Sequence, residues 1–294
     1  MQISGKVAIV TGGAQGIGRA IVEAILEKGG KVTIVDVNSS VGQKTAEELR
    51  GKHGETDVMF VKCDVTDNDQ FDKVFIQTKS HFGRVDIVVN NAGIFDEKDV
   101  KKCTAVNLNS VICGTMLGVE HMRKNKEGGE GGVVVNMAST AGLQPYPLIP
   151  VYTATKHGIV GYTRCWGANP DFPYQQVRVN CLCPHLTNTS LLQLTPEQKA
   201  AGVVRHVRLW EAWYPMAMKT ALSPSTVAEA CIQLIEDDTR NGAVLKVTAE
   251  GTTYQSFQDE SELKFEIPEG FFVPDSEYEK IQGTSDGSNV ITKT

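Results

Sequence analysis

Seven short runs rich in β-branched residues recur along the chain at helix-length intervals. They are residues 6–10 (KVAIV), 31–36 (KVTIVD), 58–64 (VMFVKCD), 84–90 (RVDIVVN), 132–137 (GVVVNM), 177–183 (VRVNCLC) and 243–248 (AVLKVT). Between them, helical periodicity covers 18–28, 41–52, 70–82, 104–123, 151–166 and 224–237. Runs that are apolar throughout, with no alternation, predict strands buried on both faces. Strand-helix alternation then predicts one α/β domain, a doubly wound parallel sheet of about seven strands with helices on both faces.

Two stretches break this rhythm. Residues 189–222 form a long insertion whose Leu191, Leu192, Leu194, Val203, Val204, Leu209, Trp210, Trp213, Tyr214 and Met216 exceed what one amphipathic helix needs. It reads either as a lid over an apolar substrate pocket or as a subunit contact or ordinary core. Residues 249–294 are polar and strand-poor, so the domain is set at 1–250 and residues 251–294 are expected to be a loosely held extension. KNKEGGEGG (124–132) reads as a surface connector.

Composition narrows the function classes. Of 294 residues, 41% are hydrophobic and 22% charged, as in a globular protein, and the net charge of −6 argues against a nucleic-acid partner. No uncharged apolar run reaches the roughly 18 residues that a membrane span needs. Seven cysteines scattered among apolar segments read as small hydrophobes of a reduced interior, with no metal-binding spacing. With no charged-then-apolar leader at the start, the expected location is the cytoplasm.

The chemistry gathers at strand ends. The first strand runs into Thr11-Gly12-Gly13-Ala14-Gln15-Gly16-Ile17-Gly18, directly before a helix. Gly12, Gly16 and Gly18 let a backbone turn and a helix N-terminus approach a pyrophosphate, as in a Rossmann fold, although glycines at such turns are also frequent for purely structural reasons. The second strand ends in Asp36, at the distance where an acid accepts ribose hydroxyls; it would repel a 2′-phosphate, favouring NAD over NADP. Asp64, followed by Val65, ends the third strand within expected reach of an adenine edge. Asn90-Asn91-Ala92-Gly93 ends the fourth, where Asn90 also reads as a turn-former joining strands.

Ser139 lies just past the fifth strand, and Tyr152 and Lys156 are one helical turn apart. A phenol with a pKa of about 10 is a poor base at neutral pH, and a nearby ammonium favours its phenolate. Ser139 would hydrogen-bond the substrate oxygen. Taken alone, a Tyr-x-x-x-Lys pair is an ordinary solvated helix face; in order after the glycine-rich turn, Asp36 and Asn-Asn-Ala-Gly, it is not.

This set, with Asn107, resembles the short-chain dehydrogenase/reductase family over residues 3 to about 250, and its wording is similar to the NAD-dependent 15-hydroxyprostaglandin dehydrogenase branch. The resemblance implies Tyr152 as general base, Lys156 lowering its pKa, Ser139 placing the substrate oxygen and Asn107 organising a proton-relay water. It implies an NAD site that takes in Gly12, Gln15, Gly16, Ile17, Gly18, Asp36, Asp64, Val65, Asn91, Ala92, Gly93, Tyr152, Lys156, Pro184, Leu186 and Thr189, with Thr189 on the nicotinamide carboxamide. A homodimer through the helices 104–123 and 151–166 is also implied.

Two departures bear on the substrate. His185 follows Pro184 where the family has glycine, either entering the site or pointing to solvent. Ile149 stands where the prostaglandin enzymes carry a hydrogen-bonding glutamine. The expected substrate-side residues are thus Ser139, Ile149, Tyr152 and His185. The expected activity is NAD-dependent interconversion of a secondary alcohol and a ketone on an apolar body, lipid-like, steroid-like, terpenoid or prostaglandin-like. The rivals are a catalytically weak NAD(H)- or lipid-binding protein and a NADP-dependent carbonyl reductase.

Overall fold

The computed structural model describes residues 1–257 except Asn125, Glu127 and Arg205. Strands β1 (Val7–Thr11), β2 (Lys31–Asp36), β3 (Val58–Lys62), β4 (Ile87–Asn90), β5 (Gly132–Met137), β6 (Val177–Pro184), β7 (Val244–Thr248) and β8 (Gly251–Tyr254) make one sheet in the order β3-β2-β1-β4-β5-β6-β7-β8. Every neighbouring pair is parallel except β7 with β8. The seven expected strands are all present. The order reverses beside β1, which pairs with both β2 and β4 and so opens a crevice at the strands' carboxyl ends.

The helices are α1 (Gly16–Glu27), α2 (Ser39–His53), α3 (Asn68–Phe82), α4 (Val100–Thr104), α5 (Ser110–Met122), α6 (Pro150–Gly167), α7 (Phe172–Gln175), α8 (Pro196–Ala200), α9 (Val207–Ala217) and α10 (Pro224–Glu236). Successive residues of β1 show why its sequence is apolar throughout. Ala8 and Val10 pack with Ile21 and Ile25 of α1 and Leu234 of α10, while Ile9 packs with Phe71 and Phe75 of α3 on the other face.

Several boundaries differ from expectation, for physical reasons. Strand β8 was absent from the sequence reading, which placed residues 249–294 in a strand-poor tail. Thr252 and Thr253 are exposed while Tyr254 packs partly on the core, and a four-residue edge strand with one apolar contact leaves no apolar run to find. Gly251, at φ +117°, allows the reversal into it. Residues 258–294 lie outside the described residues. The fourth strand begins at Ile87, not 84, because the buried Asp86 accepts from Val7 N–H at 2.9 Å and pairs with Arg84. The helix expected over 104–123 begins at Val100 and passes through a π turn, Ala105–Asn109, between α4 and α5.

Candidate active site

At the carboxyl edge of β1, the glycine-rich turn is built for close approach. Gly12 and Gly16 have φ of +62° and +58°, the left-handed region that glycine adopts without strain. A Cβ on Gly18 would lie 2.1 Å from the Gly12 carbonyl oxygen, so no side chain fits there. Gln15, the residue before α1, makes no side-chain cap and the first turn carries no acid, which leaves α1's N–H groups open to an anion. These features fit a dinucleotide pyrophosphate. Asp36 accepts from Ala14 N–H at 3.2 Å and Asn38 N–H at 2.9 Å, which fixes its carboxylate beside the cradle.

A cavity of about 660 Å³ runs from this cradle to Ser139, Tyr152 and Lys156. Gly12, Gln15, Gly16, Ile17, Gly18, Asp36, Asp64 and Val65 line one part of it. Asn91, Ala92, Gly93, Pro184, Leu186 and Thr189 line the same cavity. Asn91 braces the cradle rather than facing a ligand with its amide, since Nδ2 donates to the Thr11 and Gly12 carbonyls at 2.9 and 3.2 Å. Asn90 is structural: its buried amide donates to Asn136 Oδ1 at 2.9 Å, tying β4 to β5.

Ser139, Tyr152 and Lys156 meet on the cavity wall. Ser139 Oγ accepts from Ala141 N–H at 3.1 Å, which orients it just past β5, and it hydrogen-bonds Tyr152. Lys156 is not on a solvated face. It is 3% exposed, donates to the Met137 carbonyl at 2.7 Å and lies 5.4 Å from the Tyr152 ring centroid. Burial pushes the Lys156 ammonium down to about 8. Burial also raises the Tyr152 phenol well above its ordinary value, and the hydrogen bond with Ser139 offsets this only in part. The direction differs from the expected lowering because both groups lose water together.

Asn107 sits in the π turn with its amide paired to Ile94, accepting from its N–H at 2.8 Å and donating to its carbonyl at 2.9 Å. It therefore locks the loop after β4. Ile149 and His185 both line the cavity, so His185 does not simply point to solvent. Of the insertion, Val203, Val204 and Trp210 are buried together with Phe95, and Ile149 and Tyr152 pack against that cluster. Phe95 stacks on Trp210 at 5.0 Å between centroids and meets Tyr152 edge-on at 5.9 Å.

One residue escaped the sequence reading. Glu97 accepts from Val151 N–H and Tyr152 N–H, both at 2.8 Å, and its own N–H donates to the Val203 carbonyl at 2.9 Å. A glutamate in a polar loop carries no periodic signal. The hint was at the other end, where α6 opens with Pro150 and no capping side chain of its own.

The short chain dehydrogenase family profile matches residues 6–200. The human 15-hydroxyprostaglandin dehydrogenase, whose name specifies NAD(+), is 42% identical over 262 residues, covering 87% of this chain and 96% of that protein. Zerumbone synthase of Zingiber zerumbet is 31% identical over 267 residues, covering 85% and 95%. Among solved structures, a short chain dehydrogenase/reductase from Burkholderia phymatum in complex with NAD is similar at a TM-score of 0.70 and 25% identity, covering 81% of this chain and 88% of that one.

Proposed function

The chain belongs to the short-chain dehydrogenase family, and from that premise we propose that it oxidises a secondary alcohol on a mainly apolar body with NAD, and reduces the matching ketone. One observation carries this reading: a single cavity joins the glycine cradle and Asp36 to Ser139, Tyr152 and Lys156. Gly12, Gly16, Gly18 and the α1 N-terminus would hold the pyrophosphate, and Asp36 the adenosine ribose. NAD supplies the hydride acceptor when bound.

The rest is the work of this chain's side chains. Ser139 Oγ hydrogen-bonds the substrate oxygen and sets the carbinol C–H direction. Tyr152 Oη takes the hydroxyl proton in oxidation and returns it in reduction. Its raised pKa keeps it a proton donor at rest, so oxidation depends on Lys156, charged below about pH 8, to favour the phenolate as the proton transfers. Ile149, Leu192, Trp210 and Trp213 supply an apolar wall, which supports a lipid-like, steroid-like or terpenoid substrate, a hydroxylated fatty acid or prostaglandin included.

The segment 189–222 acts as the lid, because its Trp210 reaches Tyr152 through Phe95 and so roofs the reacting groups. A homodimer through α5 and α6 belongs to the same proposal, supported by Met116 of α5, which is 58% exposed in the single chain. Purified protein is expected to form NADH from apolar secondary alcohols in a panel spanning prostaglandins, sterols, terpenols and short alcohols. Tyr152→Phe should abolish turnover while NADH still binds, by fluorescence titration. Ordinary turnover by that variant would sink the mechanism.

A further inference from the structure

Beside the reacting groups, a line of hydrogen-bonding side chains follows the cavity wall and ends on His185. Gln144 Nε2 donates to Tyr146 Oη at 3.0 Å. Tyr146 Oη lies 3.2 Å from Thr140 Oγ1, which lies 3.3 Å from His185 Nδ1. An amide nitrogen only donates, so Tyr146 receives there, and its phenol oxygen keeps a second lone pair, so the Tyr146–Thr140 and Thr140–His185 bonds can run in either sense. When Tyr146 donates to Thr140, Thr140 gives its single proton to His185 Nδ1. A neutral imidazole that accepts at Nδ1 carries its hydrogen on Nε2.

In that sense of the line His185 is left with an N–H to offer at Nε2. Among the described residues, Nε2 pairs with no protein atom. Thr140, Tyr146 and His185 all face the cavity that contains Ser139 and Tyr152. On the same wall Ile149, Leu191 and Leu192 offer no polar side-chain atom. The offered donor is also close to the chemistry, because Thr140 follows Ser139 and His185 follows Pro184, whose carbonyl oxygen is 3.5 Å from Ser139 Oγ.

We propose that His185 Nε2–H recognises a second oxygen on the substrate, one that accepts a hydrogen bond and sits within a few bonds of the reacting carbinol. This rests on the proposed dehydrogenase reading and narrows it. The preferred substrates are secondary alcohols on an apolar chain with a neighbouring ketone or ester carbonyl, ahead of plain alkanols. A neighbouring hydroxyl serves less well, because its proton must be turned away from Nε2–H.

The test uses two probes of equal length, ethyl 3-hydroxyoctanoate and 6-undecanol, the second lacking both ester oxygens. The readout is the ratio of their kcat/KM values with NAD, taken in the wild type and in variants so that the probes' intrinsic reactivities cancel. His185→Phe keeps a flat ring and removes the donor; the ratio should drop about tenfold, the worth of one directed hydrogen bond. Thr140→Val preserves shape in the buried position and frees the tautomer, so the ratio should drop about threefold even if His185→Phe fails to fold. NADH affinity is measured in parallel by fluorescence.

A ratio unchanged in both variants overturns the proposal while leaving the dehydrogenase reading intact. So does an unchanged ratio accompanied by weakened NADH binding, which would put His185 on the cofactor side. If the wild type oxidises neither probe nor any other alcohol with NAD, the dehydrogenase reading falls, and this proposal with it.

Discussion

Glu97 is expected to position the reactive tyrosine from outside its helix. Pro150 has no N–H, and the next two N–H groups of α6, those of Val151 and Tyr152, are donors that the helix itself cannot satisfy. Glu97 takes both at 2.8 Å, and one of them belongs to Tyr152, the proposed proton-transfer residue. Truncation to Glu97→Ala removes two charge-assisted bonds at a half-buried helix start. Capping losses of this kind and the cost of stranded donors put the destabilisation at about 2 kcal/mol. In a domain of this size that lowers the melting temperature by roughly 4–8 °C. The same change frees the first turn of α6 and loosens its link through Val203 to the lid, so kcat should fall about tenfold or more while KM for NAD changes little. Glu97→Gln retains the shape but turns an NH2 toward one donor, and should recover only part of each loss. A Glu97→Ala protein that melts with the wild type and turns over at its rate would refute the reasoning. A lower melting temperature with unchanged kcat would reduce Glu97 to a purely structural cap.

Asp36→Ala should shift the kcat/KM ratio of NAD to NADP toward NADP by about 100-fold or more, since like charges about 4 Å apart at an effective dielectric of 20 repel by about 4 kcal/mol; equal use of the two cofactors by the wild type would refute this. Lys156→Met should be inactive yet more stable near neutral pH. The folded-state pKa of Lys156, about 8, lies below its ordinary 10.5, so its burial cost is complete below pH 8 and fades as pH rises to 10.5. That cost is about 3 kcal/mol, less about 1 for the lost Met137 bond, and denaturant titrations at pH 7 and pH 10 should show the gain shrinking. Ketone reduction, which wants Tyr152 protonated and Lys156 charged, should hold up to about pH 8 and decline above it. Gly18→Ala should weaken NADH binding at least tenfold, because its Cβ would meet the Gly12 oxygen at 2.1 Å. Gly161→Ala, where a Cβ on α6 meets nothing within 4 Å, should instead raise stability by about 0.5–1 kcal/mol.

What could be read from the chain depended on how local each determinant is. The seven parallel strands were legible because burial on both faces writes one unbroken apolar run; β8, a short edge strand with Tyr254 as its contact to the core, writes none. Ser139 was placed correctly at the end of β5 and Tyr152 with Lys156 on one face of α6, because strand ends and helical spacing are local properties. The protonation of that pair was not legible, since sequence shows two groups a turn apart but not the Phe95–Trp210 stack that dries them. His185 announced itself as an added side chain, yet its contact is with Thr140, 45 residues away. Glu97 reaches α6 across 54 residues. The groups proposed to perform the chemistry are thus fixed by their own elements and show in the pattern. The groups proposed to hold them, dry them and choose the substrate act between loops far apart in sequence, where no periodicity records a partner. On the proposed reading, specificity can change at Ile149 and His185 while Ser139, Tyr152 and Lys156 stay as they are.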